Sequence, residues 1–363
     1  MQIPKALTPT AILLSSVTLL LGAGGGWLFD QWRMPLAWLV GAMVVTTAAA
    51  LVGAPLKGSR RLRNIMIPIL GVMLGSAFTP VALAGIGSWV PSLSALIAFI
   101  VVVVVCVGLY FHRILGFGPV TSYFSATPGG LATMVLIGVD MGGDERNITL
   151  VHSIRILLTV LVIPFWFRLF EGYQPGGIAA LGSVSKLAPV DAVVLIVCAV
   201  AGTPLARWLK VPSPFLLGPM IASAVAHLAG VTAAKPPVEI VNLAQLVIGT
   251  SIGTRFVGIS VVRAFHVIAA GALSTLFMLA LAAAFAITLE AVTGLPFSAL
   301  WLSFAPGGVA EMTLISLAMN IDPAMVSTHH LLRVAFMVFS APLVFALLQK
   351  RYAISERGVP PNA

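Results

Sequence analysis

Ionic side chains are what this sequence has least of. Only 9% of its residues are Asp, Glu, Lys or Arg, against roughly 25% in an ordinary soluble domain. A chain of 363 residues with so few charges has too little polar surface to hold a water-soluble globule in solution. Acidic residues are the scarcer sign, 11 against 20 Lys and Arg, which leaves a net charge of +9. No basic run is interleaved with aromatics, so that excess reads as loop charge that sets membrane orientation rather than as a nucleic-acid surface. Cysteine is almost missing. Cys106 and Cys198 both lie inside apolar runs, which gives two buried, inert thiols and no disulfide or metal framework.

Several catalytic signatures are also missing. There is no G-x-x-x-x-G-K-[ST], which excludes ATP-driven pumping by this chain, and no H-E-x-x-H. Histidines stand at 112, 152, 227, 266, 329 and 330, and only the last two adjoin. That spacing offers no copper or zinc site. We therefore expect no cofactor, no metal and no enzymatic activity.

What is present is apolar length. Hydrophobic residues make up 59% of the chain and the mean hydropathy is +1.07. Twelve apolar stretches can be marked: about 8–28, 34–54, 64–83, 91–111, 117–139 and 148–170, then about 188–209, 212–230, 239–260, 264–289, 296–318 and 325–348. Most reach the roughly 20 residues that cross hydrocarbon as a helix. The β-branched run Val101 to Val105 would suit a strand in water. In lipid it must be helix, because each backbone N–H has to be satisfied within its own segment. The reading is an all-α polytopic membrane protein.

The two groups of six are related. Pro128-Gly129-Gly130-Leu131-Ala132-Thr133-Met134 returns as Pro306-Gly307-Gly308-Val309-Ala310-Glu311-Met312, 178 residues on (306 − 128). At the same offset His152 falls on His330, Arg155 on Arg333, Pro164 on Pro342, Asp144 on Asp322, Gly71 on Gly249 and Gly75 on Gly253. One residue less, 177, carries Pro35, Gly41 and Met43 onto Pro212, Gly218 and Met220. This is a tandem duplication. It divides the chain into a membrane repeat at 1–171, a breaker-rich linker at 172–187, a second membrane repeat at 188–350 and a disordered tail at 351–363. The repeat also argues against a cleaved leader, although Lys5 precedes an apolar run. The first segment matches an internal one at 188–209.

Loop charges alternate between the halves. The loop after the second stretch holds Lys57, Arg60, Arg61 and Arg63, whereas in its counterpart Lys235 and Glu239 cancel. The loop after the third stretch, 85–91, is uncharged, whereas Arg255 and Arg263 follow the ninth. A swapped positive-inside bias is the mark of an inverted repeat; the alternative is that all twelve stretches cross, in two parallel repeats. Inversion needs an odd number of crossings per half, so one stretch of six in each half must not cross. The Pro-Gly-Gly stretches are the candidates for broken or re-entrant segments, since Pro and paired Gly interrupt a helix.

Candidate site residues follow. Pro128, Gly129, Gly130, Pro306, Gly307 and Gly308 would free backbone N–H groups at the start of the following half-helix, and such N-termini favour anions. His152-x-x-Arg155 and His330-x-x-Arg333 each set two side chains on one helix face. These four residues either join the site or, for the arginines, snorkel to the headgroups and, for the histidines, pack by hydrogen bonding. Glu311 stands deep in its stretch where the first half has Thr133, and we expect Arg155 or Arg333 to pair with it. Asp144 and Asp322 each read as a cap on the next helix.

The doubled P-G-G-[LV]-A-x-M stretches, each followed about 24 residues on by H-x-x-R, resemble the AbrB family of bacterial inner-membrane proteins over roughly 10–350. Its members carry labels as ammonia monooxygenase and as AbrB family transcriptional regulator; the small soluble DNA-binding regulator of that name is a different protein. The resemblance implies a multi-pass inner-membrane protein with a duplicated domain and a role in regulating gene expression. With no metal ligands and no extramembrane segment long enough to read DNA directly, we expect a secondary transporter or permease. Its partners would be the lipid bilayer and a small, anionic metabolite, with a proton or sodium ion as coupling ion. A homo-oligomer is compatible with the sequence. The alternatives are a non-transporting membrane regulator that acts through a protein partner and, last, a membrane monooxygenase.

Overall fold

The computed structural model describes residues 9–172, 182–211 and 213–357, and among them every regular element is helical. Most of the expected linker and the end of the expected tail, 173–181 and 358–363, lie outside the described residues. The elements are α1 (Pro9–Gln31), α2 (Ala37–Leu51), α3 (Arg60–Gly75), α4 (Pro80–Ala84), α5 (Val90–Leu109), α6 (Pro119–Ala126), α7 (Leu131–Asp140) and α8 (Glu145–Phe170). They continue as α9 (Pro189–Trp208), α10 (Pro214–Leu228), α11 (Val238–Gly253), α12 (Val261–Thr293), α13 (Phe297–Phe304), α14 (Val309–Ala318) and α15 (Pro323–Arg357).

Six spans are long and apolar enough to cross a membrane: Pro9–Gln31, Ile86–Ile114, Glu145–Phe170, Pro189–Trp208, Ala264–Thr293 and Pro323–Phe345. The valine run lies within one of them, in α5, so lipid-type backbone economy overrides β propensity there. Both Pro-Gly-Gly stretches interrupt their helices. α6 and α13 have 8 residues each, α7 and α14 have 10. Ten residues span about 15 Å, half of the roughly 30 Å hydrocarbon core.

Hydropathy misplaced some ends for identifiable reasons. α3 begins at Arg60, ahead of the apolar run, because the Ser59 hydroxyl accepts from the Leu62 N–H at 3.2 Å and starts the helix among arginines. α15 continues to Arg357, through part of the segment expected to be a disordered tail. Cys198 is buried as expected, but Cys106 is exposed. A helix that is apolar all round does not reveal from its sequence which face meets protein.

The chain forms two compact units, each drawing on both halves of the sequence. One comprises 1–89, 157–265 and 309–327; the other comprises 90–156, 266–308 and 328–363. In the first unit α1 packs on α2 and α9 on α10, through the same device. A Cβ on Gly41 would overlap the Gly25 carbonyl, and one on Gly218 would overlap the Gly202 carbonyl. Side-chain-free crossings of this kind let backbones touch where lipid supplies no hydrophobic drive. The turns leading into α2 and α10 also match. Arg33 and Leu36 take φ of 51° and 53°, and Lys210 and Ser213 take 55° and 50°. Non-glycine residues in this left-handed region cost roughly 1–2 kcal/mol each, so tight helix pairing must hold them there. α3 then packs on α10, with Gly71 against Leu216 and Gly75 against Met220, while α11 packs on α2, with Gly249 against Leu39 and Gly253 against Thr46.

The second unit is centred on aromatic clusters at the ends of the two short helices. Phe304, the last residue of α13, meets Phe99 and Phe285 with ring centroids 5.4 and 5.9 Å apart. Phe124, near the end of α6, meets Tyr123 and Phe345 at 5.2 and 5.7 Å.

The glycine crossings give a direct test. Gly41→Val and Gly218→Val should each destabilise the protein by about 1–3 kcal/mol or more, read as a lowered thermal unfolding midpoint in detergent. Gly24→Ala, where nothing lies within 4 Å of the new Cβ, should be neutral. Equal midpoints for all three variants would contradict the close approach.

Candidate functional site

A helix that stops inside a bilayer leaves its last carbonyls without partners. At the end of α6 one of these is met by local means: the Thr127 N–H and hydroxyl both reach the Tyr123 carbonyl, at 3.1 and 2.6 Å. Two others, those of Phe124 and Ser125, are met from α8, as is the Thr127 carbonyl just beyond. His152 Nε2 lies 2.9 Å from the Phe124 carbonyl oxygen. Arg155 donates through Nη1 to the Thr127 carbonyl at 3.0 Å and through Nη2 to the Ser125 carbonyl.

The same cap is built at the end of α13, from α15. The Ala305 N–H takes the Trp301 carbonyl at 2.9 Å. His330 Nε2 lies 2.9 Å from the Leu302 carbonyl, and Arg333 donates to the Ala305 and Gly307 carbonyls, each at 2.6 Å. Arg333 Nη2 also donates to His330 Nδ1 at 2.7 Å. That donor leaves Nδ1 as an acceptor, so the proton is on Nε2, where it faces the carbonyl.

These positions decide what the sequence left open. Arg155 and Arg333 are 2% exposed and do not snorkel. Both histidines are buried, hydrogen-bonded packing groups. Each guanidinium sits at the negative, C-terminal end of a short helix, where a cation is favourable by about 0.3–2 kcal/mol. Each keeps one buried donor, Nε–H, without a partner among the described residues.

With cations on the carbonyl ends, the N–H ends are the open ones. α7 starts at Leu131 after Gly130, and no side chain caps it. α14 starts at Val309 after Gly308 and differs in one respect: Glu311 lies in its first turn. The expectation for Glu311 needs correcting. Because the Pro-Gly-Gly break restarts the helix, Glu311 is the third residue of α14, half-buried, and not deep within a continuous span. Its cationic neighbour is also not the expected one. Arg155 and Arg333 are committed to carbonyls, and the guanidinium close enough to interact with Glu311 is that of Arg255, which also has Arg63 near it. Arg255 follows α11 in a short 3-10 turn, Thr254–Phe256, and in sequence looks like an ordinary loop charge.

Asp144 and Asp322 cap as expected. Asp144 Oδ1 accepts from the Arg146 and Asn147 N–H groups at 2.9 and 3.1 Å, and Asp322 Oδ1 from those of Ala324 and Met325 at 2.9 and 3.3 Å. Among the described residues, no three of His, Cys, Asp and Glu gather closely enough to hold a metal ion.

Fold and site together define an all-helical protein with six membrane-length apolar spans and two interrupted helices capped by buried Arg-His pairs. A family profile described as "Transition state regulatory protein AbrB" matches residues 38–349, and the chain belongs to the AbrB family. It is 27% identical over 350 residues to "Uncharacterized protein YhjN" of Bacillus subtilis (strain 168), covering 90% of this chain and 91% of that one. It is 24% identical over 332 residues to "Putative regulator AbrB" of Escherichia coli (strain K12), covering 92% and 94%.

The caps are testable apart from any activity. Arg155→Gln and Arg333→Gln each leave buried carbonyls unpaired, at about 1–3 kcal/mol per group, so both should lower the unfolding midpoint clearly. Arg333→Lys should recover only part of the loss, since one ammonium replaces a two-pronged donor. Midpoints equal to wild type would mean that something else holds these carbonyls.

Proposed function

We propose that this protein is a secondary transporter of a small anionic metabolite in the bacterial inner membrane, built from two inverted repeats. The observation that supports it most is the pairing of two broken helices, each with its carbonyl end closed by a buried Arg-His pair and its N–H end uncapped by a side chain at α7. Broken helices of this kind are how inverted-repeat transporters place fixed partial charges at midplane. In this reading the start of α7 takes the anion, through the N–H groups that follow Pro128-Gly129-Gly130. The start of α14, after Pro306-Gly307-Gly308, carries its own carboxylate, Glu311, and so serves the coupling ion, a proton or sodium. His152, Arg155, His330 and Arg333 shape the site by holding the helix ends, without touching substrate. An effect on gene expression then follows indirectly, from moving a metabolite that other proteins sense. No step calls for a cofactor or for contact with nucleic acid.

The word "regulator" in the name of the Escherichia coli relative favours a second reading, a membrane protein that signals through a protein partner without transport. Proteoliposomes separate the two. Uptake of at least one compound from a panel of radiolabelled small carboxylates is the expected result, and a folded protein that moves none of them favours the second reading. Glu311→Gln keeps shape but cannot ionise. It should fold normally and lose coupled uptake by about tenfold or more, equivalent to roughly 1.4 kcal/mol. Glu311→Ala should also lower stability, because Arg255 loses a nearby negative charge. Wild-type uptake with unchanged pH dependence in Glu311→Gln would remove the carboxylate from the mechanism.

A further inference from the structure

Gln245 is 1% exposed, yet neither its Oε1 nor its Nε2 has a hydrogen-bond partner among the described residues. Leaving a buried amide unpaired is costly, and native proteins rarely do so without a ligand or water to complete it. Its direction follows from the helix repeat. Gln245, Gly249 and Gly253 are spaced by four and share one face of α11. Gly249 abuts Leu39 and Gly253 abuts Thr46, so α11 and α2 run parallel. One turn before Gly249, Gln245 therefore lies level with the start of α2.

That start is itself incomplete. Leu36 occupies the cap position of α2 in a left-handed conformation and offers no side-chain acceptor. The N–H groups of Leu39 and Val40 return to the Leu36 carbonyl at 2.9 Å. Those of Ala37 and Trp38 have no acceptor among the described residues, and Met34, Pro35, Leu36 and Ala37 are all buried. A cation stands beside the turn: Arg168 donates to the Trp32 and Arg33 carbonyls at 2.8 and 2.9 Å. The feature is one-sided. The position equivalent to Gln245 in the first half is Ile67 (245 − 178), on the face of α3 that meets α10.

We propose that the start of α2 and Gln245 form a binding site for a carboxylate group. Two backbone N–H donors and the Gln245 amide N–H meet its two oxygens, and the helix dipole and Arg168 balance its charge. This site does not depend on the transport reading, because it is tested by binding alone.

The test uses the full-length protein in detergent. Sodium acetate and sodium decanoate are titrated against sodium chloride at matched ionic strength, with thermal unfolding as the readout. A carboxylate-specific rise in midpoint of about 2–4 °C is expected. A response to both compounds assigns the site to soluble carboxylates, and a response to decanoate alone assigns it to a membrane fatty acid. Gln245→Leu should raise the midpoint of the unliganded protein and abolish the response. Gln245→Glu supplies the carboxylate from the chain, and should likewise be stabilised and unresponsive. The proposal is overturned if wild type shows no carboxylate-specific rise, or if either folded variant responds as wild type does.

Discussion

A carbonyl buried at the end of a helix has no water to turn to, and two helices in this protein, α6 and α13, end among buried residues. Each end is closed by a histidine and an arginine from one later helix, and the reach is the same in both: 28 residues from His152 to Phe124 and from His330 to Leu302. Burying a guanidinium costs several kcal/mol of desolvation, and here each charge is offset by two carbonyl dipoles rather than by a carboxylate. The consequence is a polarity. Each cation is spent on the C-terminal end of a half-helix, while the N–H end of α7 has no side-chain cap.

Asymmetry between the halves is where individual function is written. Thr133 and Glu311 occupy matching positions, the third residue of α7 and of α14. Only the second brings a negative charge to its helix start, with Arg255 as its neighbour. His330 receives a bond from Arg333 that locks its tautomer. Ile67 and Gln245 stand at matching positions on α3 and α11, one apolar and one an unpaired amide. The glycine crossings, by contrast, are kept in both halves, as backbone contact tolerates no side chain.

Much of this was legible in the sequence. Apolar length marked the six long spans, but also six stretches whose helices are shorter than a crossing; Pro-Gly-Gly marked both breaks, and the aspartates after them two helix caps. The arginines were identifiable as special because charge is so rare, but their partners were not: a guanidinium's choice between a carboxylate and a row of carbonyls is settled by packing across 28 residues. Glu311 was misplaced because its depth was measured from the ends of a whole apolar stretch, when the break three residues earlier restarts the count. Gln245 was overlooked inside an apolar run, although its spacing of four from Gly249 and of eight from Gly253 was a visible signal. Arg255 resembled any loop charge, and only the fold brings it near a carboxylate.

The proposed transport function requires that the two equivalent broken helices enter the membrane from opposite sides. Single cysteines at positions 60 and 235, in a protein freed of Cys106 and Cys198, report this directly through a membrane-impermeant maleimide applied to intact and to opened cells. Labelling of one position only in intact cells, with the other exposed on opening, is the predicted result. Both positions reacting from the same side would contradict inversion, and with it the proposed transport function.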